Sequence, residues 1–154
     1  MKKAFLATVA LTLMLIMSPA IAQAHSVSRL NPPPNCLSES VYTYTQPKAG
    51  GTLKVEFEVF RDPMNCVVTE LLTYSEIDLA HGFSHTGTVN AVIGISTGGW
   101  ANQNPQTIPI NKTEWDTTTT FAPDCGTTYY GYGSASDDGY NWAASTTSVP
   151  TEAC

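Results

Sequence analysis

Between residues 52 and 60 apolar and charged side chains alternate without interruption. Leu53, Val55, Phe57 and Val59 fall at one parity, and Lys54, Glu56 and Glu58 at the other. A period of two puts each set on its own face of an extended strand, whereas a helix would scatter both sets around its axis. The stretch therefore commits the chain to a sheet with one buried and one solvated face. Other stretches rich in Val, Thr, Tyr and Leu carry the same leaning, at 41–45, 66–74, 88–97, 113–121, 127–135 and 140–148. β-branched and aromatic residues pack well on a pleated surface, and the run of threonines at 117–120 suits a solvated strand.

Turn chemistry separates these stretches. Residues 46–51 and 61–65 hold Pro47, Gly50, Gly51, Asp62, Pro63 and Asn65, while Ser136-Asp137-Asp138-Gly139 reads as a hairpin connection. Gly98-Gly99-Trp100 and Asn104-Pro105 predict a loop, and Pro32-Pro33-Pro34 a stiff polyproline leader. Ser75-Glu76-Ile77-Asp78 matches a variant of the capping box, so one short helix is expected over 76–81, ended by Gly82. Short strands at this spacing predict an all-β, two-sheet β-sandwich of immunoglobulin-like or jelly-roll type, with at most one short helix. The immunoglobulin pattern of cysteine, tryptophan, cysteine is absent, since no tryptophan lies between Cys36 and Cys66.

The first residues are of another kind. Lys2 and Lys3 precede an apolar run over 4–17 that Ser18 and Pro19 end, and Ala22-Gln23-Ala24 supplies the small residues of a cleavage site. The run is shorter than the roughly 20 residues a spanning helix needs. Residues 1–24 are thus expected to be a cleaved secretion signal, leaving residues 25–154 as a single domain, secreted or periplasmic, with no membrane insertion after signal removal. A cut after Ala22 would instead leave Gln23 first. Loss of Lys2 and Lys3 leaves five basic against 13 acidic residues. So acidic a chain lacks the clustered positive charge that nucleic acid requires, and no nucleic-acid partner is expected.

Cys36, Cys66, Cys125 and Cys154 all lie beyond the signal, where an oxidising compartment makes pairing the default. Three pairings are open to four cysteines. Cys36 with Cys66 and Cys125 with Cys154 is the preferred one, because each closes a local loop and the second would pin a terminus that otherwise frays. No C-x-x-C spacing suggests zinc.

Cleavage after Ala24 would make His25 the first residue. Its α-amino group and ring could then chelate one ion, with an imidazole from His85 or His81 completing a three-nitrogen site suited to copper. An N-terminal histidine on an exported β-sandwich resembles two copper groups, the lytic polysaccharide monooxygenases with their histidine brace and the small periplasmic copper carriers. What the resemblance implies is a brace role for His25 and a second-ligand role for His85 or His81, with copper as cofactor. The other reading of His81 is a residue at a helix C-terminus, where a partly charged imidazole is favoured.

A second constellation is aromatic. Trp100 sits in the glycine-rich stretch, Trp115 among polar residues, and Tyr140 and Trp142 near the final hairpin, opposite Tyr129, Tyr130 and Tyr132. Exposed rings of this kind stack on sugar faces or anchor protein contacts; buried ones fill a core. Alternation lets only some of residues 129–132 point inward, so one face of that hairpin should present aromatics outward. Asp124, Asp137 and Asp138 lack the loop pattern of a known calcium motif and read as turn chemistry. No Gly-x-Ser-x-Gly elbow is present, and the acids Glu56 and Glu58 alternate on the solvent face of a strand. The sequence thus favours an exported, non-catalytic binding, adhesion or structural module with a glycan or protein ligand outside the cytoplasm. Trp100, Trp142 and Tyr140 are its candidate ligand-binding residues, and the copper protein is the alternative.

Overall fold

A computed structural model describes residues 36–48, 50–81, 86–137 and 139–151. The described chain is all-β, in nine strands: β1 (Glu39–Lys48), β2 (Gly51–Arg61), β3 (Val68–Leu79), β4 (Gly87–Ile95), β5 (Trp100–Ile108), β6 (Glu114–Phe121), β7 (Thr128–Asp137), β8 (Tyr140–Ser145) and β9 (Val149–Pro150). A four-stranded sheet in the order β1-β2-β3-β6 faces a five-stranded one in the order β5-β4-β7-β8, with β9 paired to β7. Every pairing is antiparallel. Without β1, the three strands β2-β3-β6 over β5-β4-β7-β8 form the immunoglobulin-like Greek key, and β1 extends its edge. The sandwich expected from the alternation is therefore present.

Leu53, Val55, Phe57 and Val59 point inward from β2 as their parity requires, all fully buried. The core forms two clusters. One gathers around Leu53, Ile77, Val89, Ile108 and Trp142. The other gathers around Phe57, Val59, Leu71, Ile93 and Tyr129. Between them lies a waist of small residues. Thr73 and Ser75 on β3 are buried, and Gly131 and Gly133 face the first sheet from β7. A Cβ on Gly131 would lie 2.7 Å from Phe57 Cβ, and one on Gly133 would collide with Ser75 Oγ and Val55. Only hydrogen at these positions lets the sheets close. Gly131→Val should lower unfolding free energy by about 1–3 kcal/mol, as overpacking does, measured by denaturant titration. An unchanged midpoint would show that the sheets can part at no cost.

Side chains seal both open sides of the sandwich. On one, Gln46 Oε1 accepts from the Ala143 N–H at 3.1 Å and Lys48 Nζ donates to the Asn141 carbonyl at 2.7 Å, so β1 covers the edge of β8. On the other, Asn102 and Asn104 each donate a side-chain N–H, at 2.8 Å, to the carbonyls of Thr120 and Thr118 on β6. Unpaired strand edges invite association, and these amides occupy them.

Three sequence expectations need correction. Residues 76–79 belong to β3 rather than a helix: Ser75, Ile77 and Leu79 continue the inward parity of Leu71 and Thr73, and Ile77 pairs with both Leu53 and Trp115. Cross-strand burial overrides a local capping pattern. Residues 100–108 form β5, not a loop, because Pro105 sits on an edge strand, where a missing N–H is tolerated. The threonine run is solvated on one side only, with Thr117 and Thr119 buried.

The Cys36–Cys66 disulfide is present, joining the chain before β1 to the β2–β3 turn. Cys125 is also disulfide-bonded. Its expected partner Cys154 lies outside the described residues, as do the signal segment, His25 and His85. Disulfides persist in oxidising compartments, which fits a protein acting outside the cytoplasm. No helix among the described residues is long and apolar enough to cross a membrane.

Candidate functional site

The outward faces of the two sheets differ in chemistry. On the first sheet the cross-strand rows read Lys54, Glu76, Asp116 and then Thr52, Asp78, Glu114, with Glu56 and Glu58 beside them on β2. Lys54 pairs with Glu56 at 3.1 Å, and its Nζ lies 5.8 Å from the Tyr74 ring centre. The hydrogen bond that the protonated Glu114 carboxyl donates to Glu76, followed by repulsion from the Glu76 charge, holds Glu114 above the ordinary carboxylate range. Burial, then Glu39 and Glu56, raises Glu58. Burial also raises the Tyr74 hydroxyl, reinforced by its hydrogen bond to Glu76 and by the surrounding acids.

Because Glu114 binds its proton more tightly folded than unfolded, this contribution to stability is present at acid pH and is lost as pH rises through the folded pKa. In Glu114→Gln the repulsion cannot develop. Its Tm should match wild type near pH 4 and exceed it slightly near pH 7, a window set by the ordinary carboxylate value and its upward shift. A Tm difference that stays constant with pH would contradict this account.

Among the described residues, the strand positions on the second sheet's outward face include no Asp, Glu, Lys, Arg or His. Its rows, read across β5, β4, β7 and β8, begin with Trp100, Gly94 and Tyr130. The next row is Gln103, Val92, Tyr132 and Ser145, followed by Pro105, Asn90, Ser134 and Ala143, and then by Thr107, Thr88, Ser136 and Asn141. The register shifts between Ile93 and Gly94, where Trp100 pairs with Gly94, so a bulge sets the tryptophan beside the glycine.

Gly94 is the centre of this arrangement. A Cβ there would strike the Tyr130 ring, whose Cε1 and Cε2 would lie at an equal 2.7 Å from it. The ring therefore lies flat over Gly94, one face against the backbone and the other turned outward. Val92 forms an apolar floor in the next row, fully buried although its position points outward. Around it, Asn90 donates an amide N–H to Gln103 Oε1 at 3.2 Å, and the Thr88 and Ser136 hydroxyls share a hydrogen bond of 2.8 Å.

The aromatic residues singled out in the sequence fall into three environments. Trp100 is 57% exposed on the uncharged face, beside Tyr130. Trp142 is in the core at 2% exposure and has no outward ring face, since its parity with Ala144 turns it inward. Tyr140 is exposed but lies over Trp142, with ring centres 6.1 Å apart, at the opposite end of the sheet. From Tyr130 to Asp137, the partner of Tyr140, the strand runs about 24 Å. The structure thus separates Trp100 from Tyr140 and Trp142, and brings it together with Tyr130 and Tyr132. Tyr129 points inward, accepts the Asp124 backbone N–H and packs on Phe121.

Trp115 is half-buried against the core, beside a groove lined by Asn104, Gln106 and Asp116. His81 is exposed in the turn after β3. Among the described residues no group of histidine, cysteine and carboxylate side chains could hold a metal ion, and two of the three proposed copper ligands fall outside those residues. Gly94 was not singled out in the sequence. Its signal was a glycine inside a strand pattern, which marks a bulge or a close approach.

No protein-family model matches the chain, and no curated protein sequence does. Among solved structures, this chain is similar to part of a protein from Bacteroides fragilis described as a beta-galactosidase. The TM-score is 0.42 and the identity 11%, over 72% of this chain and 16% of that one. It is also similar to part of a beta-glucuronidase from glycoside hydrolase family 2, with a TM-score of 0.36 and 12% identity, over 69% of this chain and 11% of that one. The chain therefore spans only a small fraction of each of these proteins, and likeness of this degree carries no argument about activity or ligand.

Proposed function

We propose that this chain is an exported, non-catalytic carbohydrate-binding module that holds a glycan against the outward face of β5, β4, β7 and β8. The observation that carries the reading is the Tyr130 ring laid flat over Gly94 beside the exposed indole of Trp100. An aromatic face is electron-rich, and the C–H bonds on the face of a pyranose ring are its complement. Side-chain amides and hydroxyls in the neighbouring rows supply donors and acceptors for sugar hydroxyls, at Gln103, Ser134 and Asn141.

Retention of the protein on immobilised polysaccharides tests the proposal, with Gly94→Ala as the decisive variant. The added methyl group lifts the Tyr130 ring without removing any aromatic side chain. Gly94 has an ordinary negative-φ backbone, so the strand accepts alanine. The expected result is retention by at least one glycan, reduced about tenfold or more in Gly94→Ala, with the thermal melt of the variant intact. Full retention by the variant would remove Tyr130 from the site, and a protein ligand captured where no glycan is retained would replace the proposal.

A further inference from the structure

Building on the carbohydrate-binding reading, we infer that the ligand is a neutral, extended polysaccharide contacted by the Trp100 and Tyr130 rings together, and that polyanionic glycans are excluded. The charge distribution supplies the first half of the argument. Acidic residues crowd the outward face of the first sheet, and among the described residues the strand positions of the second sheet's outward face carry no formal charge. Among the described cations Lys54 pairs with Glu56, Arg61 bonds Ser40 Oγ on the first sheet, and Lys48 at the Asn141 carbonyl and Lys112 after β5 stand at the end of the second sheet away from Trp100 and Tyr130. A uronate or sulfate chain lying over Trp100 and Tyr130 would meet no counter-charge there, and the chain's net charge of −6 would repel it on approach. Stacking and neutral hydrogen bonds remain, and salt does not screen these.

Spacing supplies the second half. Trp100 and Tyr130 stand on the two strands that flank β4, at opposite ends of one cross-strand row. Two strand spacings separate their backbones by about 9.5 Å. The Tyr130 ring reaches over Gly94 toward Trp100, so the aromatic surface runs from β7 across β4 to β5. From this aromatic row the polar rows continue along β7 to Ser136 and its neighbour Asn141, about 20 Å away, so full binding needs consecutive sugars in an extended chain.

The test uses the full protein on cellulose, mannan, polygalacturonate and heparin, at low ionic strength and at about 1 M salt, where charge interactions are screened within a few ångströms. Retention on a neutral polymer, changed less than about twofold by salt, is expected, with none on the polyanions. An oligosaccharide of the retained polymer should elute the protein where its monosaccharide at equal mass does not. Retention on a polyanion that salt abolishes would overturn the inference and leave the carbohydrate-binding reading standing. Elution by the monosaccharide as readily as by the oligosaccharide would overturn the extended-chain ligand. Retention on no glycan would overturn the carbohydrate-binding reading and this inference with it.

Discussion

Trp100→Ala should abolish most glycan retention while leaving the fold intact. Central aromatic anchors of a binding face typically cost about 2 kcal/mol or more when truncated, which corresponds to roughly a thirtyfold loss of affinity. The side chain is 57% exposed and contributes little to either core cluster, so the change in stability should stay within about 0.5 kcal/mol. Tyr140→Ala is the control. Tyr140 is exposed to nearly the same degree, 55%, yet it stands at the far end of the sheet over Trp142. Isothermal titration with a retained oligosaccharide should show the loss in Trp100→Ala and none in Tyr140→Ala. Equal losses in the two variants would mean that any exposed ring serves and that the row formed with Gly94 and Tyr130 has no special part.

The second large effect concerns stability. Replacing both Cys36 and Cys66 by alanine should lower unfolding free energy by about 3–4 kcal/mol, the loop-closure entropy of a cross-link spanning 30 residues. The bond ties the chain entering β1 to the β2–β3 turn, so its loss releases the edge strand whose Gln46 and Lys48 cover β8. Denaturant titration of the double variant measures the loss. A decrease below about 1 kcal/mol would indicate that the sandwich holds β1 in place without the cross-link.

Much of this architecture was legible because burial on one side of a sheet imposes a period of two. The alternation over 52–60 marks β2 and its inward face, and the hairpin residues before Gly139 mark the β7–β8 connection. The Cys36–Cys66 pairing was one of three open to the sequence, preferred for its short loop, and the structure contains it. Residues 75–79 misled because a capping pattern spans four residues and carries no record of strand partners; Leu53 and Trp115 flank Ile77 and make it a strand residue. Pro105 misled for the opposite reason. Its cost depends on whether the strand is central or at an edge, and that is a property of the sheet.

The candidate site was less legible. Trp100, Tyr140 and Trp142 are chemically alike as letters, and parity along β8 sends Trp142 into the core. The tyrosines at 130 and 132 face outward by the same rule that buries Tyr129, yet their joining with Trp100 required β5 to pair with β4 across a bulge. Gly94 has no side chain to announce a role, and its contribution is to let a ring from the neighbouring strand lie flat. By itself the sequence determined the strand class, the inward residues of β2 and the acidic balance, because each depends on short-range periodicity or composition. Tertiary structure alone decided which rings share a face, which outward face lacks charged side chains among the described residues and where the sheets approach closely enough to require glycine. Those outcomes depend on register between strands distant in sequence, and register is set by the packing of the whole sandwich.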